Sequence, residues 1–163
     1  MADPPRRVNF FNGMMLTPAD LAAEQEYHRE MRYLHNRLHG YGTVSGLEVT
    51  VRKGHLLVSP GLAIDVGGRE IVVAQPLSLR LEPRRNTDTW PRDLVIEWHE
   101  TADSPVPSPG GTTDFSRWVE EPELSLVPSG TGPSKALVLA RLTRTSHGAV
   151  DVDTSVRRPL GLE

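Results

Sequence analysis

The sequence predicts an α+β protein, mainly β, in which one long N-terminal helix precedes an antiparallel β-barrel or β-sandwich of about eight short strands. Three observations predict it. Residues 18–39 carry one unbroken helical pattern with a start and a stop signal. From residue 43 onward, apolar residues alternate with polar ones in short runs. Fourteen glycines and fourteen prolines punctuate the 163 residues, which suits a turn-rich β fold better than a helical bundle. The chain divides into an arm (1–16), the long helix (17–40) and a β-rich domain (41–163).

The arm begins polar and proline-rich, then turns apolar in VNFFNGMML, where Asn12-Gly13 permits a reversal. Thr17 is a good helix cap, Pro18 suits the first helical position, and Asp20 meets the positive end of the helix dipole. Gly40 terminates the helix, which spans roughly 33 Å at about 1.5 Å per residue. Tyr27, Met31, Leu34 and Leu38 follow 4-3-4 spacing and share one face. Two readings of that stripe stay open. It packs the helix on its own sheet, or part of it packs against another subunit, since so long a helix overhangs a small β domain.

Beyond Gly40 the period changes to two. TVSGLEVTV (43–51) reads as a strand, with Gly46 as a bulge or a point of close approach. HLLVS follows the Lys53-Gly54 turn. LAIDV and EIVVA flank Gly67-Gly68, a two-residue hairpin turn. LSLRL, DLVIEWHE, WVEEPELSLVP, ALVLARLTRT and GAVDVD supply the later strands. SPVPSPGGTTD (104–114) reads as a surface loop.

Composition excludes several function classes. The net charge of −3 gives no basic field for nucleic acid, and no cysteine is present to form disulfides or thiolate metal sites. No apolar run approaches the ~18 residues of a membrane span, so direct membrane insertion is not expected.

Three of the six histidines, His28, His35 and His39, lie in the helix. His35 and His39 are four apart and share a face, as a zinc site requires. A zincin needs Glu directly after the first histidine, and here Asn36 stands there. The sequence therefore assigns no metal ligand, and His39 is expected to latch the helix end to a neighbouring loop. Asp65 and Arg69 flank the glycine turn; Asp65 is expected to bond local backbone, and Arg69 to close a salt bridge across the strands. Glu97, His99 and Glu100 are expected on one strand, with the two carboxylates on opposite faces, which weakens acid/base chemistry. The pairs Arg6-Arg7, Arg84-Arg85 and Arg157-Arg158 read as solvated or subunit-bridging. Phe10, Phe11, Met14 and Met15 either cover the helix–sheet junction or anchor a partner.

Two stretches, FFNGMMLTPADLAAEQEYHREMRYLHNRLHGYGTVSGLEV and VSPGLAIDVGGREIVV, carry a further signal. Phe11, Gly13 and Leu16 enter a helix containing Glu24-Gln25 and Tyr27. Asn36, His39 and Gly40 close it. Gly42, Val44, Gly46, Leu47 and Val49 follow, and then Pro60, Gly61, Ala63, Ile64, Asp65, Gly68, Arg69, Glu70 and Ile71. This pattern resembles a group of small proteins among phage-tail and phage-tail-like contractile injection system components. The match is strong over 8–75 and weaker over 93–144. The resemblance implies a structural role at the baseplate or its fibres, and contains no catalytic signature.

The expected function is thus a structural subunit of a phage tail-like contractile injection particle, holding neighbouring subunits. No enzyme activity, catalytic residue or cofactor is assigned. The interface candidates are Phe10, Phe11, Met14, Met15, Tyr27, Met31, Leu34 and Leu38. The helix–domain joint is assigned to His39, Gly40, Gly46, Asp65 and Arg69. Expected partners are other tail or baseplate subunits or further copies of this chain, and no nucleic acid; the expected location is cytoplasmic, within the assembled particle. The alternative is a glycan- or receptor-binding module of a tail fibre, for which Trp90, Trp98 and Trp118 are the candidate aromatics. It gains if Trp90 and Trp118 are exposed and adjacent, and loses if they are buried.

Overall fold

The computed structural model describes residues 4–81, 90–108, 110–145 and 148–161. The Arg84-Arg85 pair lies outside the described residues. The single described helix, α1, spans Pro18–His39. It starts where the sequence says it should. Thr17 and Asp20 form a reciprocal capping box, with the Thr17 N–H donating to Asp20 Oδ2 at 2.9 Å and the Asp20 N–H donating to Thr17 Oγ1 at 3.3 Å. The Thr17 side-chain bond holds the Asp20 carboxyl below its ordinary range. Gly40 ends the helix with a φ of +91°.

Twelve strands follow among the described residues: β1 (Gly42–Gly46), β2 (Val49–Arg52), β3 (His55–Val58), β4 (Gly61–Ile64), β5 (Glu70–Val73), β6 (Leu77–Arg80), β7 (Arg92–Glu97), β8 (Glu100–Pro107), β9 (Thr113–Glu120), β10 (Glu123–Pro128), β11 (Leu137–Arg144) and β12 (Val150–Asp153). All named strand pairs are antiparallel. They do not close into a barrel. They form four open sheets, ordered β1-β4-β5, β2-β3-β6, β10-β7-β11-β12 and β8-β9.

The strand count exceeds the expected eight because three expected runs are each divided between two strands: 43–51 between β1 and β2, 93–100 between β7 and β8, and 118–128 between β9 and β10. The run 43–51 is not one strand. Gly46 and Leu47 both have positive φ, +61° and +58°, and this double left-handed step carries the chain from one sheet into another. The stretch 104–114 is not simply a loop. Its first residues finish β8 and its last begin β9, with Pro105 opposite Phe115 and Pro107 opposite Thr113. Proline is tolerated there because a two-stranded sheet has only edge strands, where one row of N–H groups is not needed for pairing.

One core joins the first three sheets. Leu47, Leu56, Val58, Ile71, Leu94, Ile96, Leu139 and Leu142 are buried within it. β7 has four consecutive buried residues and lies between β10 and β11. No helix residue belongs to this core. Gly46 and Gly61 face each other across β1 and β4, where a Cβ on either would collide with the backbone of the other strand. Gly46 is therefore a point of close approach, and the bulge of β1 lies between Thr43 and Ser45.

Of the Arg157-Arg158 pair, Arg157 departs from the sequence expectation while Arg158 stays exposed. Arg157 is not solvated. Its guanidinium donates to Leu47 O at 2.7 Å, to Gly46 O and Leu139 O at 3.3 Å, and pairs with Glu48 at 3.2 Å. It ties the C-terminal segment to the β1–β2 crossing. Arg158 stacks on Tyr41, with Cζ 3.9 Å from the ring centroid.

Candidate assembly face and the helix joint

The amphipathic logic of α1 is inverted. Its polar side docks on the β domain and its apolar stripe looks outward. Only Tyr33 is buried in the whole helix. Around Tyr33, Asn36 Nδ2 donates to Gly68 O and to Glu70 Oε1, both at 2.8 Å. Arg37 donates to Gly67 O at 2.9 Å, and Arg32 pairs with Glu70 at 3.0 Å. Arg29 reaches Glu100 at 3.8 Å. Positions 29, 33, 36 and 37 share one helical face, so a single side makes the joint.

The receiving surface is the β4–β5 turn. Asp65 is 1% exposed and accepts the N–H groups of Gly67 and Arg69 at 2.8 and 2.9 Å. Arg69 Nε and Nη2 close on its other oxygen at 2.7 and 2.6 Å. The Arg69 guanidinium also lies over Trp98, 4.6 Å from the ring centroid. This brace holds Gly68 at a φ of +88°, directly beneath the Tyr33 carbonyl. A Cβ at residue 68 would collide with that carbonyl, so only glycine lets the helix backbone come so close.

His39 is not the latch. It is exposed, and its Nε2 lies 3.4 Å from His35 Nε2 on the same helix. The Arg37 bond and the Asn36 pair do that work instead. The sequence reading missed both as joint residues because it followed the apolar stripe. Asn36 was visible as the residue that breaks a zincin pattern and as part of the motif that closes the helix, in neither case as a bond to the β domain.

Of the interface candidates, Phe10 is 52%, Phe11 65%, Met15 85%, Leu34 48% and Leu38 78% exposed, while Met14, Tyr27 and Met31 are half-buried. Tyr27 and Met31 line a groove of about 480 Å³ with Pro5, Arg6, Glu26 and Glu30, so the arm lies along the first half of the stripe. Leu34 and Leu38 lie open beyond it. Among the described residues, seven of the twelve exposed large apolar side chains belong to residues 10–38.

The acid/His cluster does not assemble. β7 ends at Glu97 and β8 begins at Glu100, with exposed His99 between the two strands. A second heavily bonded carboxylate is Asp93, which the sequence reading did not single out. It is buried, bonded by Arg141 Nε at 2.8 Å, by Ser129 Oγ and by the Gly130 N–H at 3.1 Å. The Arg141 bond, despite burial, holds its carboxyl below the ordinary range. Of the tryptophans, Trp118 is 67% exposed on β9, whereas Trp90 and Trp98 are half-buried against the core.

No family model matches the chain, and no curated protein matches it. Solved structures do. The chain superposes on the crystal structure of TssK with a TM-score of 0.56 at 14% identity, covering 92% of this chain and 41% of that one. It matches a chain of the type VI secretion system TssK-TssF-TssG baseplate subcomplex, seen by cryo-electron microscopy, at TM-score 0.59 and 16% identity over 92% and 60%. A chain of the type VI secretion baseplate complex gives 0.59 and 16% over 93% and 58%. This chain thus spans about two-fifths to three-fifths of the length of the chains it matches. At these identities the likeness is one of fold, and the fold is one that occurs in baseplate proteins.

Proposed function

We propose that this chain is a structural subunit of the baseplate of a phage tail-like contractile injection particle, at the baseplate itself or at its fibre attachment. Its task is mechanical: it holds neighbouring subunits in fixed geometry and performs no catalytic step. One observation carries the reading. The helix is fastened to its own domain by hydrogen bonds from its polar face, which leaves Leu34, Leu38 and the apolar arm residues to be covered by a neighbour. The shared fold with chains of baseplate complexes supports it. The two buried aspartates fit a structural role: Asp65 and Asp93 are each bonded by an arginine and by backbone or hydroxyl donors.

The receptor-binding alternative loses its main support, because Trp90 packs against the core while Trp118 lies on the separate β8–β9 hairpin. The test is a photo-crosslinking residue placed at position 38 in the particle-producing host. The expected result is an adduct with another baseplate protein in purified particles. Absence of the chain from those particles, or no adduct from position 38 in particles that contain it, refutes the proposal.

A further inference from the structure

We propose that His35 and His39 form a two-ligand site for a borderline divalent transition ion such as Zn²⁺, at the C-terminal end of α1. The argument is geometric. Their Nε2 atoms lie 3.4 Å apart. Two imidazole nitrogens, each about 2.0–2.1 Å from a tetrahedral zinc, stand about 3.3 Å from each other. The pair is thus already spaced for chelation, with the rings at 68° and their centroids 5.0 Å apart.

The turn that carries the pair is also the part of the helix that is pinned. Asn36 and Arg37 lie between the two histidines and are bonded to Gly68, Glu70 and Gly67 of the β domain. The backbone under the ligands is therefore held before any ion arrives, which lowers the entropic cost of binding. Arg37, the nearest cation in sequence, is turned toward the Gly67 carbonyl. The C-terminal end of a helix carries partial negative charge, which favours a cation there. Both histidines are exposed, so an ion has direct access.

No third histidine or carboxylate among the described residues joins the pair. The remaining coordination positions go to water or to a side chain of a neighbouring subunit. The site has no general base at Asn36, so its role is binding and cross-linking rather than hydrolysis. His28 is not part of it, since its Nε2 bonds Glu24 at 3.0 Å one helical segment away.

The test is calorimetric titration of the untagged full chain with Zn²⁺, alongside His35→Ala, His39→Ala and His28→Ala. The expected result is one ion per chain, with affinity weakened on the order of 10²-fold in either of the first two variants, because the second bond of a chelate forms intramolecularly. His28→Ala should bind as the parent does. All three side chains are exposed, and circular dichroism checks that each variant stays helical. As a second readout, the Cu²⁺-loaded parent should show two imidazole nitrogens by electron paramagnetic resonance. No Zn²⁺ binding, or binding that survives loss of either histidine undiminished, overturns the proposal.

Discussion

Replacing Gly68 with alanine should detach the helix without unfolding the core. Two costs arise. A non-glycine residue in the left-handed region costs about 1–2 kcal/mol, and Gly68 sits at φ +88°. The added Cβ would also strike the Tyr33 carbonyl and come within 3.1 Å of Arg37 Cγ. The Tyr33 atoms are backbone, so a rotamer change cannot relieve the clash; the helix must lift. Lifting breaks the two Asn36 bonds, the Arg37 bond and the Arg32–Glu70 pair. At about 0.5–1.5 kcal/mol for each hydrogen bond and less for the exposed ion pair, the docking is worth roughly 3 kcal/mol. The helix supplies nothing to the main core, so the sheets should remain folded. Gly54→Ala is the control: its φ is +76°, but nothing lies within 4 Å of the added Cβ. It pays the backbone strain alone. Hydrogen-exchange mass spectrometry should show lost protection across residues 29–39 in Gly68→Ala, with β7 and β11 unchanged, and no such loss in Gly54→Ala. If Gly68→Ala keeps wild-type helix protection, or if Gly54→Ala loses it equally, the reasoning fails.

Other outcomes follow from the same structure. Asp93→Asn removes a carboxylate whose folded-state affinity for protons is lowered chiefly by Arg141. That stabilisation is fully present above the unfolded-state value of about 3.9 and disappears as pH falls through the lower folded-state value. The variant should be less stable by about 3–5 kcal/mol in urea unfolding at pH 7, and the gap should shrink below about pH 4; a gap independent of pH counts against the assignment. Asp65→Ala leaves Arg69 without its partner beside Trp98. It should cost about 3–5 kcal/mol, seen as a melting temperature lower by roughly 10 °C and a changed Trp98 emission. Leu34→Glu with Leu38→Glu should alter the stability of the isolated chain by no more than about 0.5 kcal/mol, since both side chains are exposed. The same double variant should fail to enter particles; normal incorporation would separate the apolar stripe from assembly.

Local signals decided what the sequence could show by itself. Thr17, Pro18, Asp20 and Gly40 bound the helix because caps and terminators act within one turn of the residue that carries them. Alternation located most strands because side chains on a pleated strand face opposite ways regardless of distant neighbours. That Asp65 bonds the backbone of its own turn was also readable, since the N–H donors it accepts from lie two and four residues away. The stripe of Tyr27, Met31, Leu34 and Leu38 was visible too, but periodicity says only which residues share a face, not what covers that face. Only the tertiary structure decided that the helix docks by its polar side, because that choice rests on Gly68 and Glu70, more than 30 residues from Asn36. Likewise, the anchoring of Arg157 depends on carbonyls at Gly46 and Leu47, about 110 positions away in the chain, and no local pattern could report such contacts.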